Sequence, residues 1–405
     1  MVNDYLPLTD TIAPAAAADV AEAVRDAAGR PTPVYPIGGG TAMSYGRRPA
    51  EPGLGLSTAA LNRIIDHAAD DMTITLEAGV TVAQLAEQLA GRRQRLPIDV
   101  PLSSRATIGG VVATNTSGPR RFAHGTLRDY VIGIRAVDGE GNAFGGGGRV
   151  VKNAAGYDLC KMLIGSLGTL GIVTQVTLMV RPVPETTALV ACDVPELAAA
   201  ERLLAALIHT KTLPVAVELL AGPDRGTGGV LAPIREPNIA RLIVGFEGAV
   251  DEVDWMIGQV CKEWEEEGIG APIVVPGDAA GAVWDRLTEA PADVQVHVRP
   301  GAAVETIERL LAFDPGCSIH ARAGDGVIRA TFSPQAPLTA SSCGELRSVA
   351  TPLGGTLVVL SPPEGVELSA GDIWGPPGGG SVVMRALKER FDPQGILNRG
   401  RYVFG

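Results

Sequence analysis

Pro36-Ile37-Gly38-Gly39-Gly40-Thr41 closes a short apolar run, Val34 to Ile37, that reads as a strand. Its three glycines make a turn that no β-branched segment could make. Two further stretches repeat this character. One is Thr107-Ile108-Gly109-Gly110-Val111-Val112-Ala113-Thr114-Asn115-Thr116-Ser117-Gly118, and the other is Gly165-Ser166-Leu167-Gly168-Thr169-Leu170-Gly171-Ile172-Val173. Glycines placed after strands let several backbone N–H groups converge on one anion, so an acidic chain could hold a pyrophosphate without a basic patch. Taken singly, each stretch reads more readily as a tight turn. None fits G-x-G-x-x-G, and no Lys follows a Gly as a P-loop requires, which disfavours Rossmann dinucleotide binding and P-loop phosphoryl transfer.

Working outward, residues 14–28 predict a helix with Pro14 early and Gly29 as its stop. Met72 to Leu76 alternates like a strand, and Val82 to Leu89 has helical spacing. Residues 131–144 and 172–180 read as strands, after which Pro182 and Pro184 mark a boundary. Beyond it, strand-like stretches (187–192, 242–246, 294–298, 327–332) alternate with helix-like ones (195–209, 250–267, 304–311), as expected of an α+β domain with a sheet covered on one face. A Pro/Gly-rich loop over 361–381 precedes a last amphipathic helix, 382–391. The expected domains are therefore 1–184, 185–345 and a C-terminal segment, 346–405.

The chain has 405 residues, of which 46% are hydrophobic and 20% charged, enough apolar material for sizeable cores. With 45 acidic against 34 basic residues the net charge is -11, which argues against nucleic acid as a partner. No apolar run approaches the roughly 18 residues of a membrane span and no leader pattern is visible, so a cytoplasmic location is expected. The scattered cysteines, Cys160, Cys192, Cys261, Cys317 and Cys343, contain no C-x-x-C pair for zinc or an iron–sulfur cluster, and no metal is expected.

In combination and in this order, the three glycine stretches resemble the FAD domain of the vanillyl-alcohol oxidase (p-cresol methylhydroxylase-type) family, over roughly residues 30–182. The resemblance implies a two-lobed FAD-binding domain, a following α+β cap domain that covers the substrate, and a tail that returns to the FAD domain. It places Pro36, Ile37, Gly38, Gly39, Gly40, Thr41 and Ala42, with Pro101, Thr107, Gly109, Gly110, Ala113, Thr114, Asn115, Ser117 and Gly118, along the cofactor. Gly165, Gly168, Gly171, Ile172 and Val173 look like the backbone that meets the adenine or flavin, and Asn398 looks like the tail residue that reaches the flavin ring. The usual Asn-Pro-Gly-Lys ending departs here at Arg399.

Ser117 to Arg121, His124 to Asp129 and Val151 to Leu159 narrow the match to the FAD-binding subunits of bacterial glycolate oxidases. Through them Arg121, Gly125, Arg128, Asp129, Val131 and Lys152 are implied along the cleft. Arg128-Asp129 is equally a surface ion pair, and His124 equally a capped turn. Covalent members attach the flavin through a His where this chain has Thr41-Ala42, so noncovalent FAD is expected. Catalytic 2-hydroxyacid members carry His-x-Gly-Asp-Gly-Asn-x-His, whose histidines bind a metal and take the substrate proton. The matching stretch is Arg322-Ala323-Gly324-Asp325-Gly326-Val327-Ile328-Arg329. Arginine stays protonated to about pH 12 and can do neither. An arginine there could pair with a substrate carboxylate, or Gly324-Asp325-Gly326 could be only a hairpin turn.

The leading expectation is thus an FAD-binding redox subunit that handles a small 2-hydroxyacid beside a catalytic flavoprotein and an iron–sulfur subunit, at the inner membrane face only through those partners. Trp374 and the helix bearing Trp255 and Trp264 are the expected contact regions, or else core. The alternatives are a self-sufficient 2-hydroxyacid or alcohol dehydrogenase using His320, Tyr157 or His297 as base, and a structural subunit that has lost its flavin.

Overall fold

A computed structural model describes residues 5–148, 158–223, 231, 240–270 and 272–404. They divide into two units. The first comprises Met1–Ser117, Thr126–Val183 and Pro376–Gly405, and the second Gly118–Gly125 and Pro184–Gly375.

In the first unit, β1 (Leu8–Ile12), β2 (Val34–Ile37) and β3 (Gly53–Ser57) form a parallel sheet in the order β1-β3-β2. The helix Ala17–Ala28 supplies Val20, Val24 and Ala27 to the core shared with Val34 and Leu56. Ala16 is its N-cap, so the helix begins later than the position of Pro14 suggests, and the Asp19 carboxylate accepts from the Ala16 amide at 3.1 Å. The second lobe is an antiparallel sheet of β4 (Ile64–Ala68), β5 (Thr73–Glu77), β7 (Val131–Val137), β8 (Ala143–Gly147) and β9 (Ile172–Met179), ordered β4-β5-β9-β7-β8. β6 (Gln94–Arg95) and β10 (Arg181–Pro182) pair as a short ribbon. The single strand read over 131–144 is a hairpin, β7 and β8. Asp138 Oδ1 accepts from the amides of Glu140 and Asn142, and Gly141 supplies a φ of +78° between them. Thr107 Oγ1 caps a helix, Ile108–Thr114, in the second glycine stretch. Its paired glycines concealed that helix from a propensity reading.

The tail returns to the first unit through specific contacts. Asp392, buried to 2% exposure, accepts from the amides of Ile396 and Leu397 and pairs with Lys388 Nζ at 2.6 Å. Lys388 also donates to the carbonyls of Thr169 and Leu397. Val34 donates to the Ile396 carbonyl and Asn398 to the Val34 carbonyl, so the tail runs parallel beside β2.

The second unit is built on one antiparallel sheet: β11 (Thr186–Val194), β12 (Ala216–Ala221), β13 (Ala240–Gly248), β14 (Ile273–Pro276), β15 (Val294–His297), β16 (Ser318–Arg322), β17 (Val327–Thr331) and β18 (Thr356–Val359). Its order is β14-β11-β13-β12-β16-β17-β15-β18. One face is covered by Leu197–Leu207, Val250–Glu266, Ala303–Phe313 and Ala340–Ala350. Residues 346–375, read from sequence with the tail, cluster here because β18 pairs with β15. Trp264 is fully buried and Trp374 packs partly on this core, whereas Trp255 is exposed.

The opposite face has two characters. Around β11 and β13 the helix Gly277–Glu289 covers it with Val283, Trp284 and Leu287, and Gly245 leaves the space that Trp284 fills. At Glu218 of β12 and along β16, β17 and β15 it carries mainly polar and charged side chains instead.

Candidate functional site

The first unit holds a groove whose lining comes from four separated segments: Pro36 with Gly38–Met43 and Tyr45; Val100, Pro101 and Ala106; Gly110, Val111, Ala113, Thr114 and Thr116; and Asn398 with Arg401. Leu6 and Leu167 complete it. Turn geometry brings them together. Gly40 takes a φ of +66°, and a Cβ on Gly38 or Gly39 would overlap Thr107 Oγ1 or the Arg105 carbonyl. The glycines are therefore required first by the chain's approach to itself, before any ligand is considered.

Polar groups in and beside this groove lack internal partners. No hydrogen bond among the described residues is donated by the amides of Gly38 to Ala42. Asn115, in the left-handed region between the lining residues Thr114 and Thr116, has a buried Oδ1 with no partner. Two cations stand here. Arg105 donates to the Gly39 carbonyl at 3.3 Å. Arg401, 4% exposed, donates to the carbonyls of Met43 and Tyr45, and burial pulls its pKa down to about 10. Burial likewise raises the Tyr45 phenol. Asn398 sits at φ +46° with its Nδ2 on the Leu167 carbonyl at 2.6 Å.

Of the residues expected along a cofactor, the groove therefore gathers Pro36, Gly38, Gly39, Gly40, Thr41, Ala42, Pro101, Gly110, Ala113, Thr114 and Asn398. Others support it from behind. Ile37 is buried, Thr107 caps the helix, and Gly109 packs on Ala78. Gly165 and Gly168 take positive φ and approach Asn115 and Pro36. Gly171 lies against Phe144, and Ile172, Val173 and Val131 are in the cores. Arg128 and Asp129 form a capped helical turn, Asp129 accepting from the Thr126 amide at 2.7 Å. Ser117 is half-buried and outside the lining. Gly118, Arg121 and Gly125 belong to the second unit. Lys152 and Tyr157 lie outside the described residues. Sequence reading missed Arg401, whose signal was its place three residues after Asn398.

The second unit's polar face is a cross-strand row. Glu218 of β12 lies opposite Arg322 of β16, His320 opposite Arg329 of β17, and Arg329 opposite Gln295 of β15. Their neighbours Leu219, Ala321, Ile328 and Val296 point into the helix-covered core, so alternation puts this set on the other side. His320 Nε2 meets Glu218 Oε2 at 2.6 Å, both buried, and its Nδ1 has no partner. Arg322 to Arg329 forms a hairpin with Gly326 at φ +69°. Asp325 is 3.9 Å from Arg121, and burial raises its pKa. His297 bonds Gln295 at 2.8 Å, and its pKa is lowered by burial and then by Arg121 and Arg322. Arg120 and His124 both engage Glu247, at 2.9 and 3.1 Å. A divalent metal does not fit this row: the hairpin presents guanidiniums, and no three His, Cys, Asp or Glu among the described residues are grouped to hold one.

Comparison with known proteins agrees with the groove. The FAD binding domain family matches residues 10–144, and the C-terminal domain of FAD linked oxidases matches residues 378–402, which span the returning tail. The glycolate oxidase subunit GlcD of Bacillus subtilis is 27% identical over 91% of this chain and 83% of its own length. D-lactate dehydrogenase of Archaeoglobus fulgidus is 29% identical over 97% and 90%. The glycolate oxidase subunit GlcE of Escherichia coli is 35% identical, over 40% of this chain and 46% of its own. In fold, an alkyldihydroxyacetonephosphate synthase superposes with a TM-score of 0.70 at 18% identity, covering 97% of this chain and 77% of that one. The groove fits the FAD these matches imply, through the undonated amides of Gly38–Ala42 that line it.

Proposed function

We propose that this chain, an FAD-dependent oxidoreductase similar to a glycolate oxidase subunit and a D-lactate dehydrogenase, is the FAD-bearing redox subunit of a 2-hydroxyacid dehydrogenase complex. FAD, when bound, takes up two electrons from an alcohol oxidation and can release them singly. This chain's residues would hold it noncovalently. Gly38–Ala42 offer amides to the pyrophosphate, Gly110, Ala113 and Thr114 line the groove, and Asn398 and Arg401 close it from the tail. Thr41 and Ala42 face the groove and have no group that bonds a flavin.

The observation that carries the subunit reading is the hairpin Arg322–Arg329, where arginines can neither take a proton nor hold a metal. A catalytic flavoprotein then performs the hydroxyacid step, and an iron–sulfur subunit takes the electrons onward. None of this chain's five cysteines is in a disulfide, and four of them are buried. Among the described residues no helix is long and apolar enough to cross a membrane, which suits a cytoplasmic subunit that reaches the membrane's inner face through partners. Co-expression with the neighbouring genes, followed by gel filtration, tests this: a complex containing a second flavoprotein and an iron–sulfur protein is expected, and a chain eluting alone contradicts it.

A second reading has its own support. His320, paired to Glu218 with a free Nδ1, has the arrangement of an oriented general base. A self-sufficient dehydrogenase using His320 would reduce a dye with glycolate or D-lactate unaided and lose that activity in His320→Gln.

A further inference from the structure

Arg329 is a cation that the protein leaves uncompensated. It stands in β17 on the polar face, in register between His320 and Gln295. Its Nε is buried without a hydrogen bond, and none of the described residues forms a hydrogen bond or ion pair with its guanidinium. Of the carboxylates on this face, Glu218 meets His320 through Oε2 while its Oε1 has no hydrogen-bond partner, and Asp325 stands 3.9 Å from Arg121; neither forms an ion pair with Arg329. Arg322, on the adjacent strand, adds like charge: burial and then Arg322 push Arg329 down to about 10, which still leaves it charged at neutral pH. A desolvated charge without a partner opposes folding.

We propose that Arg329, backed by Arg322, seats the carboxylate of a small organic acid on this sheet face without a metal. A guanidinium offers two parallel N–H donors that match the two carboxylate oxygens, and two adjacent cations repel divalent metal while attracting an anion. Where the resembling enzymes place metal-binding histidines, this chain's arginines supply the positive charge directly. The choice of a carboxylate rests on the 2-hydroxyacid reading above; the isolation of Arg329 among the described residues does not.

Oxalate is the probe, because it has two carboxylates and no hydroxyl to oxidise. Calorimetric titration of the full chain in EDTA should give one site. Affinity should fall roughly tenfold or more in Arg329→Met and by less in Arg329→Lys, which keeps charge but not the fork. The melting temperature of Arg329→Met should be unchanged or higher, where a structural ion pair would lower it. Should Arg329→Met fail to fold, Arg329→Lys and Arg329→Gln carry the same comparison. Three results overturn the proposal: no oxalate binding by the wild type, binding undiminished in these variants, or binding abolished by EDTA. A failure of the subunit reading, seen as unaided hydroxyacid turnover, leaves the oxalate titration unaffected, so the two failures are distinguishable.

Discussion

The groove of the first unit and the polar face of the second, the two proposed ligand sites, are built in opposite ways. The groove is made mainly of backbone, with glycine turns, amides and a returning tail drawn from four segments. The polar face is made of side chains mounted on four hydrogen-bonded strands. A backbone site has no shape without its anchors, so a change at one anchor should dismantle it. A sheet-mounted site keeps its frame when a side chain changes, so substitutions there should alter binding or pH response more than stability.

The sharpest break is expected at Asp392, which holds the Ile396 and Leu397 amides and Lys388 at once. Asp392→Ala leaves two buried amides without acceptors and the half-buried Lys388 ammonium without its counter-charge, and should cost about 3 kcal/mol or more. Thermal unfolding and flavin content should fall together. Gly39→Val comes next, at about 2–4 kcal/mol, because a side chain would overlap the Arg105 carbonyl. Its flavin occupancy should also drop, and full occupancy would show that the loop is not part of the site.

Effects on the polar face should be smaller. Glu218→Gln keeps the shape but weakens the contact with His320, an expected loss of about 1 kcal/mol because relief of a buried charge offsets part of it. A Glu218→Gln variant destabilised as much as Asp392→Ala would erase the contrast between the two regions. His297 gives the mildest signal. Its folded pKa lies below the ordinary value near 6.5, so its contribution is complete above that pH and is lost as pH falls and the unfolded chain binds the proton more readily. His297→Gln should therefore lose less stability than wild type between pH 7 and 5, measured by denaturant titration.

The contrast also explains what sequence could reveal. Backbone sites announce themselves through residue type: three glycine stretches and a tail Asn were legible because few other residues make those turns. Even there, Gly39 looked like a phosphate contact when its first constraint is Arg105. Gly118–Gly125 clustered with the second unit because Phe122 packs at Gly324 and the Ala123 amide reaches the Val215 carbonyl, contacts with no local signature. On the polar face, His320 and His297 were visible as titratable residues and Arg322 and Arg329 as departures from a motif. The pairing of His320 with Glu218, 102 residues away, and the isolation of Arg329 needed the strand register.

The central claim is that this flavoprotein carries FAD yet lacks its own means of oxidising a 2-hydroxyacid. Anaerobic mixing of the purified, flavin-loaded chain with glycolate or D-lactate, followed at the flavin's visible absorbance, tests it most directly. The account predicts that the flavin stays oxidised until a partner subunit is added; bleaching by the hydroxyacid with the chain alone would contradict it.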